Sequence, residues 1–168
     1  MRILILNHEF PPLGGGGGRV SYELGRHLVQ SGHAVTVVTT NDGRKLPRQE
    51  TVAGMEIHRV YGKRRSPLDN NVPITMASYL AGGTRLALKL LRQSPFDVIH
   101  AFFTLPAGLV GVWLKSRTGL PLIVSPHGSD VPYHNPDEFN LPIRMLAPVI
   151  SRIWKRSDRV TTVSDGLR

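Results

Sequence analysis

Apolar and polar positions change period several times along the chain, and each change marks an element. Ile3 to Leu6 is a short unbroken apolar run, which suits a strand buried on both faces. From Val20 the spacing turns helical. Val20, Leu24 and Leu28, with Tyr22 and Val29 less regularly, alternate with Ser21, Glu23, Arg26, His27 and Gln30. Gly32 stops that helix, and the β-branched run Ala34 to Thr40 reads as the next strand. Gly54 to Tyr61 sets Met55, Ile57 and Val60 against Glu56, His58 and Arg59, the pattern of an edge strand. A helix is expected over Ile74 to Arg92, with Leu80, Leu86, Leu88 and Leu91 on its apolar face and a weak point at Gly82-Gly83. Phe96 to Ala101 is a strand, Pro106 to Arg117 a helix ended by Gly119, and Leu120 to Ser125 another apolar strand. A helical region follows from about Glu138 to Arg156, bent or split at Pro142 and Pro148, and Arg159 to Val163 is a last strand.

Six strands alternating with helices predict an α/β fold: a Rossmann-like doubly wound parallel sheet, ordered 3-2-1-4-5-6 and spanning residues 1–168 as one domain. Ligands in such sheets bind beyond the carboxyl ends of the strands where the order reverses. Three segments converge there: the loop after the first strand, Phe102-Phe103-Thr104, and Pro126-His127-Gly128-Ser129-Asp130.

The first of these, Asn7 to Gly18, exceeds the two to six residues usual for such a connection and contains five consecutive glycines, Gly14 to Gly18. Glycine loses more backbone freedom on folding than any other residue, so such a run suggests close approach of backbone to a ligand. Its far end is a helix N-terminus, which favours phosphate or carboxylate. The alternative is a flexible surface loop. Gly14 and Gly16 fit the first two places of the dinucleotide fingerprint, but the third falls on Arg19, and no Gly-Lys-Ser/Thr follows as a phosphate loop requires.

Composition narrows the choice further. The 168 residues are 40% hydrophobic and 20% charged, with no cysteine, so neither disulfides nor thiolate metal sites arise. The apolar N-terminal run is too short for a signal peptide, and a cytoplasmic protein is expected. Val98 to Leu114 is uncharged but is interrupted by His100, Thr104, Pro106, Gly108 and Gly111, so it reads as strand, turn and packed helix. The formal charge of +9 implies attraction to something acidic. With no nucleic-acid module in sight, a phosphorylated substrate or anionic lipid is favoured over nucleic acid.

His127 follows a buried strand on a turn where Gly128 permits a positive φ and Asp130 can cap, so it is read as a binding residue against the alternative of a turn histidine. No paired ligand spacing among the other histidines suggests a metal, and no Gly-x-Ser-x-Gly elbow suggests a hydrolase. His100 reads as a satisfied core or rim histidine, and Asp42 as a turn residue in the place of a ribose-binding acid. Lys63-Arg64-Arg65 is a basic loop. Over Ile143 to Arg159, cations surround Met145, Leu146, Ile150, Ile153 and Trp154, so that segment either packs on the sheet or lies on anionic lipid.

Glu9-Phe10-Pro11-Pro12 with the glycines, Tyr22 to Leu28, and Gly32 to Val38 together resemble the opening of family 4 retaining glycosyltransferases. Asp97 to Ala101, Pro126 to Asp130 and Val160 to Ser164 resemble later landmarks of the same N-terminal domain, in the same order. The resemblance implies the acceptor-side half of a two-domain GT-B enzyme that moves a sugar from a nucleotide-sugar to an acceptor such as a lipid or polysaccharide precursor. It implies that Gly15, Gly16, Gly17 and Gly18 approach the donor and that His127 lies near the transferred sugar. Asp130 would support the turn, while Phe103, Thr104 and a loop containing Lys63, Arg64 and Arg65 would face the acceptor or a membrane. The nucleotide-sugar is a substrate, and neither cofactor nor metal is implied. The C-terminal donor-binding domain with its Glu-x7-Glu signature is absent from these residues, so a domain fragment, inactive alone, is expected. Two other readings stand beside it: a nicotinamide-dependent domain using Asp42, and a non-enzymatic basic module docking on anionic membranes.

Overall fold

A computed structural model describes residues 1–41, 46–61, 72–132, 144–162 and 164. The strands are β1 (Arg2–Leu6), β2 (Ala34–Thr40), β3 (Gln49–Val52), β4 (Met55–Val60), β5 (Val98–Phe102), β6 (Leu122–Ser125) and β7 (Arg159–Val160). The helices are α1 (Gly16–Gln30), α2 (Val72–Gln93), α3 (Leu109–Thr118) and α4 (Ala147–Arg156). They form one sheet ordered β3-β4-β2-β1-β5-β6-β7, parallel throughout except for the β3–β4 hairpin.

Six of these strands are the expected ones, in the expected order. The seventh, β3, corrects the reading of Gly54 to Tyr61 as an edge strand. Gln49 to Val52 pairs along the outer side of β4, turning through Ala53 and Gly54, both at positive φ (49° and 80°). That pairing covers β4, so His58 and Arg59 are buried beside Met55, Ile57 and Val60.

The sheet divides the core in two. Ile3, Ile5, Val35, Val37, Met55 and Ile57 face α1, while Leu4, Leu6, Val38, Ile99, Leu122 and Val124 face α2, α3 and α4. Such strands need apolar residues at every position, which is why they read as unbroken runs.

The helices choose their buried faces by closeness of approach. On α1 the buried residues are Gly18, Ser21 and Gly25, and a Cβ at Gly25 would collide with Met55 Sδ. Val20 and Leu24, expected on the apolar face, are instead 42% and 37% exposed, with Tyr22, Leu28 and Val29 packed on the flanks. On α2 the buried line is Tyr79, Gly83 and Ala87, with the leucines beside it. The helix runs unbroken through Gly82 and Gly83; the first lets it close on Val60, and the second leaves room for the ring of Tyr79, one turn earlier in the same helix. Tyr79 donates its hydroxyl to Val38 O at 3.0 Å, and burial pushes its pKa further up. Gly119, at φ +73°, ends α3 in the left-handed conformation.

Candidate functional site

The ends of β1, β5 and β6 meet at the carboxyl edge of the sheet. Beyond Leu6 the buried Asn7 amide donates to Ser21 Oγ (2.7 Å) and Gly17 O (3.4 Å), and Asn7 Oδ1 accepts the Glu9 N–H (3.0 Å). Phe10 and Leu13 are buried beneath the loop, and Thr40 donates its hydroxyl to His8 O at 2.8 Å. The loop is therefore pinned at several points along its length.

Its five glycines divide into two uses. Gly16, Gly17 and Gly18 form the first turn of α1 instead of the loop. A Cβ at Gly17 would strike the Phe103 ring, and one at Gly18 would lie 3.1 Å from Glu9 O and 3.2 Å from Leu13 O. Those two glycines allow protein to pack on protein. Gly15 and Gly16 have no other atom within 4 Å of such a Cβ, so the open face of the helix N-terminus is theirs. Gly15 caps α1 with its own N–H held by Glu9 Oε2 at 3.2 Å, and no acidic residue occupies the first turn itself. The first-turn N–H groups lack intrahelical acceptors and carry the positive end of the dipole.

Phe103 joins this loop to the other two segments. It adopts φ +70° and ψ 143°, a conformation that costs a non-glycine residue roughly 1–3 kcal/mol and that surrounding structure must hold in place. The ring so placed lies against Gly17 and 5.0 Å from the rings of both His8 and His127. Beneath it, Phe102 stacks between His100 (4.4 Å) and His127 (5.6 Å).

Asp130 is buried and bridges the two remaining segments. Its Oδ1 accepts the His127 N–H at 2.8 Å and its Oδ2 accepts the Thr104 N–H. Gly128, at φ +94°, permits the tight turn between them. Thr104, expected to face an acceptor, has no exposed surface, and its hydroxyl accepts the Trp154 Nε1–H at 2.9 Å. The Thr104 side chain thus fastens α4 to the turn instead of lining the crevice.

Electrostatically the crevice is lined by neutral imidazoles. Burial lowers the pKa of His127 and of His8, while the carboxylates of Asp130 and Glu9 pull the other way. His100 is pushed down to about 4, first by burial and then by His127, and its Nε2 bonds Ser125 Oγ at 2.7 Å. It is a satisfied, buried histidine, one of the two roles the sequence suggested. Among the described residues His127 Nε2 and His8 Nδ1 are buried without a hydrogen-bond partner.

Three participants were not singled out from sequence: His8, Glu9, whose Oε2 accepts the Gly15 N–H at 3.2 Å, and the fastening role of Trp154. A polar Asn7-His8-Glu9 triplet directly after a buried strand was the available signal for the first two. Lys63, Arg64, Arg65 and Asp42 lie outside the described residues.

The arrangement offers an anion-accepting helix N-terminus on one side and an unpartnered neutral imidazole on the other, with an aromatic ring between. The glycosyl transferase 4-like domain model matches residues 15–168, nearly all of the chain. The chain belongs to that family. A stretch of 53 residues, 32% of this chain and 15% of the relative, is 34% identical to an uncharacterised glycosyltransferase of Methanocaldococcus jannaschii. Among solved structures, sucrose-phosphate synthase of Thermosynechococcus elongatus superposes with a TM-score of 0.69 at 15% identity, covering 96% of this chain and 47% of that one. Phytolacca americana UGT2, complexed with UDP-2fluoro-glucose and pterostilbene, superposes with a TM-score of 0.61 at 10% identity, covering 96% and 46%. At such identities the superpositions speak for the fold, the Rossmann-like half of a GT-B glycosyltransferase. This glycosyl transferase 4-like chain thus spans less than half the length of those structures.

Proposed function

We propose that this domain is the acceptor-side half of a retaining glycosyltransferase that moves a sugar from a nucleotide-sugar, bound as substrate, to an acceptor such as a lipid or polysaccharide precursor. The observation that carries the proposal is the Phe103 ring, which lies against Gly17 of the helix N-terminus and 5.0 Å from the His127 ring. Sites more than a hundred residues apart in sequence thereby share one crevice. In this reading the open N-terminus at Gly15 and Gly16 faces the donor diphosphate, since its N–H groups and dipole favour negative charge. Neutral His127 hydrogen-bonds a hydroxyl of the transferred sugar through Nε2, and Asp130 holds that imidazole in position through the backbone. Phe103, buried among Gly17, His8 and His127, fixes the spacing between helix N-terminus and imidazole, and holding the reactants across that spacing lowers the entropic part of the barrier.

Family membership supports transferase chemistry, and the nucleotide-sugar complex of a protein with this fold supports the donor class. One crevice wall is a positioning surface, so a second domain must supply the rest of the donor site. The test is nucleoside diphosphate release from a panel of UDP-, GDP- and ADP-sugars by the full-length protein. His127→Ala and Gly16→Val should each lower turnover at least a hundredfold, and residues 1–168 alone should release nothing. Undiminished turnover in His127→Ala would remove the proposed role of the imidazole, and turnover by the 168-residue chain would remove the need for a second half.

The proposal includes peripheral attachment to the cytoplasmic face of an anionic membrane. Exposed Met145, Leu146 and Val149 beside Arg152, Lys155 and Arg156 favour it.

A further inference from the structure

At the opposite, amino-terminal edge of the sheet a cavity of about 570 Å³ opens between the strands and the end of α2. The strand register places its polar floor on one face. Leu4 pairs with Thr36 and Thr36 with Glu56, so Arg2, Thr36, Glu56 and His58 all point to the side covered by α2. Lys89 projects from α2, and Arg48 from the segment leading into β3. β1 separates this cavity from the crevice above, five residues at about 3.3 Å each.

Three features distinguish it from a chance depression. First, it gathers three cations, Arg2, Arg48 and Lys89, against the single carboxylate of Glu56, and among the described residues none of the three is in an ion pair. Second, its cations are positioned. The Arg2 guanidinium lies over the Phe96 ring at 5.8 Å, its backbone N–H is held by Asp97 Oδ2 at 2.6 Å, and Lys89 is close enough to His58 for its charge to oppose protonation of that ring. Third, His58 is nine-tenths buried, yet its Nε2 has no hydrogen-bond partner, the nearest carboxylate oxygen being Glu56 Oε2 at 3.9 Å. A buried polar atom left unpaired costs about 1–3 kcal/mol, and one lining a cavity can recover it from a ligand.

We propose that this cavity binds the phosphate of a small phosphomonoester, at a site separate from the donor crevice. A phosphate dianion presents three acceptor oxygens, which suit guanidinium, ammonium and a neutral imidazole N–H together. The cavity exceeds the volume of a phosphate ion, and Leu86, Leu90 and Phe96 line the remainder, so an organic body attached to the phosphate has an apolar surface to rest on. The site does not depend on the sugar-transfer reading, because it shares no residue with that crevice.

The experiment is a titration of the full-length protein with inorganic phosphate and with phenyl phosphate at constant ionic strength, following the His58 imidazole resonances by NMR. Both ligands should shift them, phenyl phosphate with at least tenfold higher affinity. The double variant Arg48→Gln, Lys89→Gln, at two exposed positions whose replacement spares the core, should weaken binding at least tenfold, whereas His127→Asn should change it less than twofold. Absence of a His58 shift, equal affinity in the double variant, or a loss caused by His127→Asn would overturn the site. Phenyl phosphate binding no tighter than inorganic phosphate would overturn its assignment to a monoester.

Discussion

His100 and His127 sit either side of Phe102, and both carry protonation equilibria displaced by burial. A histidine whose pKa is lower in the folded than in the unfolded chain is protonated first when unfolded. Its contribution to stability is therefore present above the unfolded value of 6.5 and is lost as pH falls toward the folded value, about 4 for His100. For His100 alone the loss by pH 5 is on the order of 2 kcal/mol. His8 and His127 add to it in the same direction. Urea unfolding at pH 7.5 and pH 5 should show the decline, and His100→Gln, which keeps a polar group near Ser125, should reduce it. An unchanged slope in that variant would remove His100 from the account. From the sequence the place of His127 could be inferred because it follows a buried strand at the reversal of sheet order. His8 was signalled only by the polar triplet after β1, and its contact with Phe103 depends on that residue taking a positive φ, which no residue-level pattern announces.

One half-buried ion pair crosses the β3–β4 hairpin. The Arg59 side chain is fully buried, with Nη1 2.5 Å from Glu50 Oε1 and Nη2 donating to Pro11 O at 3.3 Å. It links β3, β4 and the base of the glycine loop. Removing one partner of a buried pair leaves an uncompensated charge, at 3–5 kcal/mol when both are fully buried. Glu50 is partly exposed, so Glu50→Gln is expected to lose roughly 2 to 3 kcal/mol. Chemical denaturation measures it, and a loss below about 0.5 kcal/mol would mean that the pair contributes as a surface bridge does. The same hairpin explains the element missed from sequence. Gln49-Glu50-Thr51-Val52 lacks the unbroken apolar character of β1 or β6, because an outer antiparallel strand need bury only one face. Helix positions were legible and helix faces less so. Apolar periodicity located α1, but Gly18, Ser21 and Gly25 make its closest contacts, and scanning for large apolar residues passes over them.

At the scale of the whole molecule the unbalanced quantity is charge, +9 over 168 residues, and part of it is displayed beside apolar surface. α4 turns Ile150 and Ile153 into the core, as a helix packed on the sheet must, and still leaves Val149 exposed, with Leu146 and the 73% exposed Met145 just before its first residue. Arg152, Lys155 and Arg156 are exposed on the same helix. No helix among the described residues is long and apolar enough to cross a membrane, so contact through this surface would be peripheral. Basic residues near an anionic surface contribute about 1 kcal/mol each, and the attraction decays within a Debye length of about 10 Å at 0.1 M salt. Three such residues correspond to roughly a hundredfold in partitioning. Vesicles containing phosphatidylglycerol should therefore sediment the protein at 50 mM salt and release most of it at 500 mM. Arg152→Gln, Lys155→Gln, Arg156→Gln together should abolish sedimentation, and Met145→Asp should weaken it at either salt concentration. Equal sedimentation with neutral phosphatidylcholine vesicles, or retention by the triple variant, would detach this helix from membrane binding and leave its cations as the solvated side of a core helix.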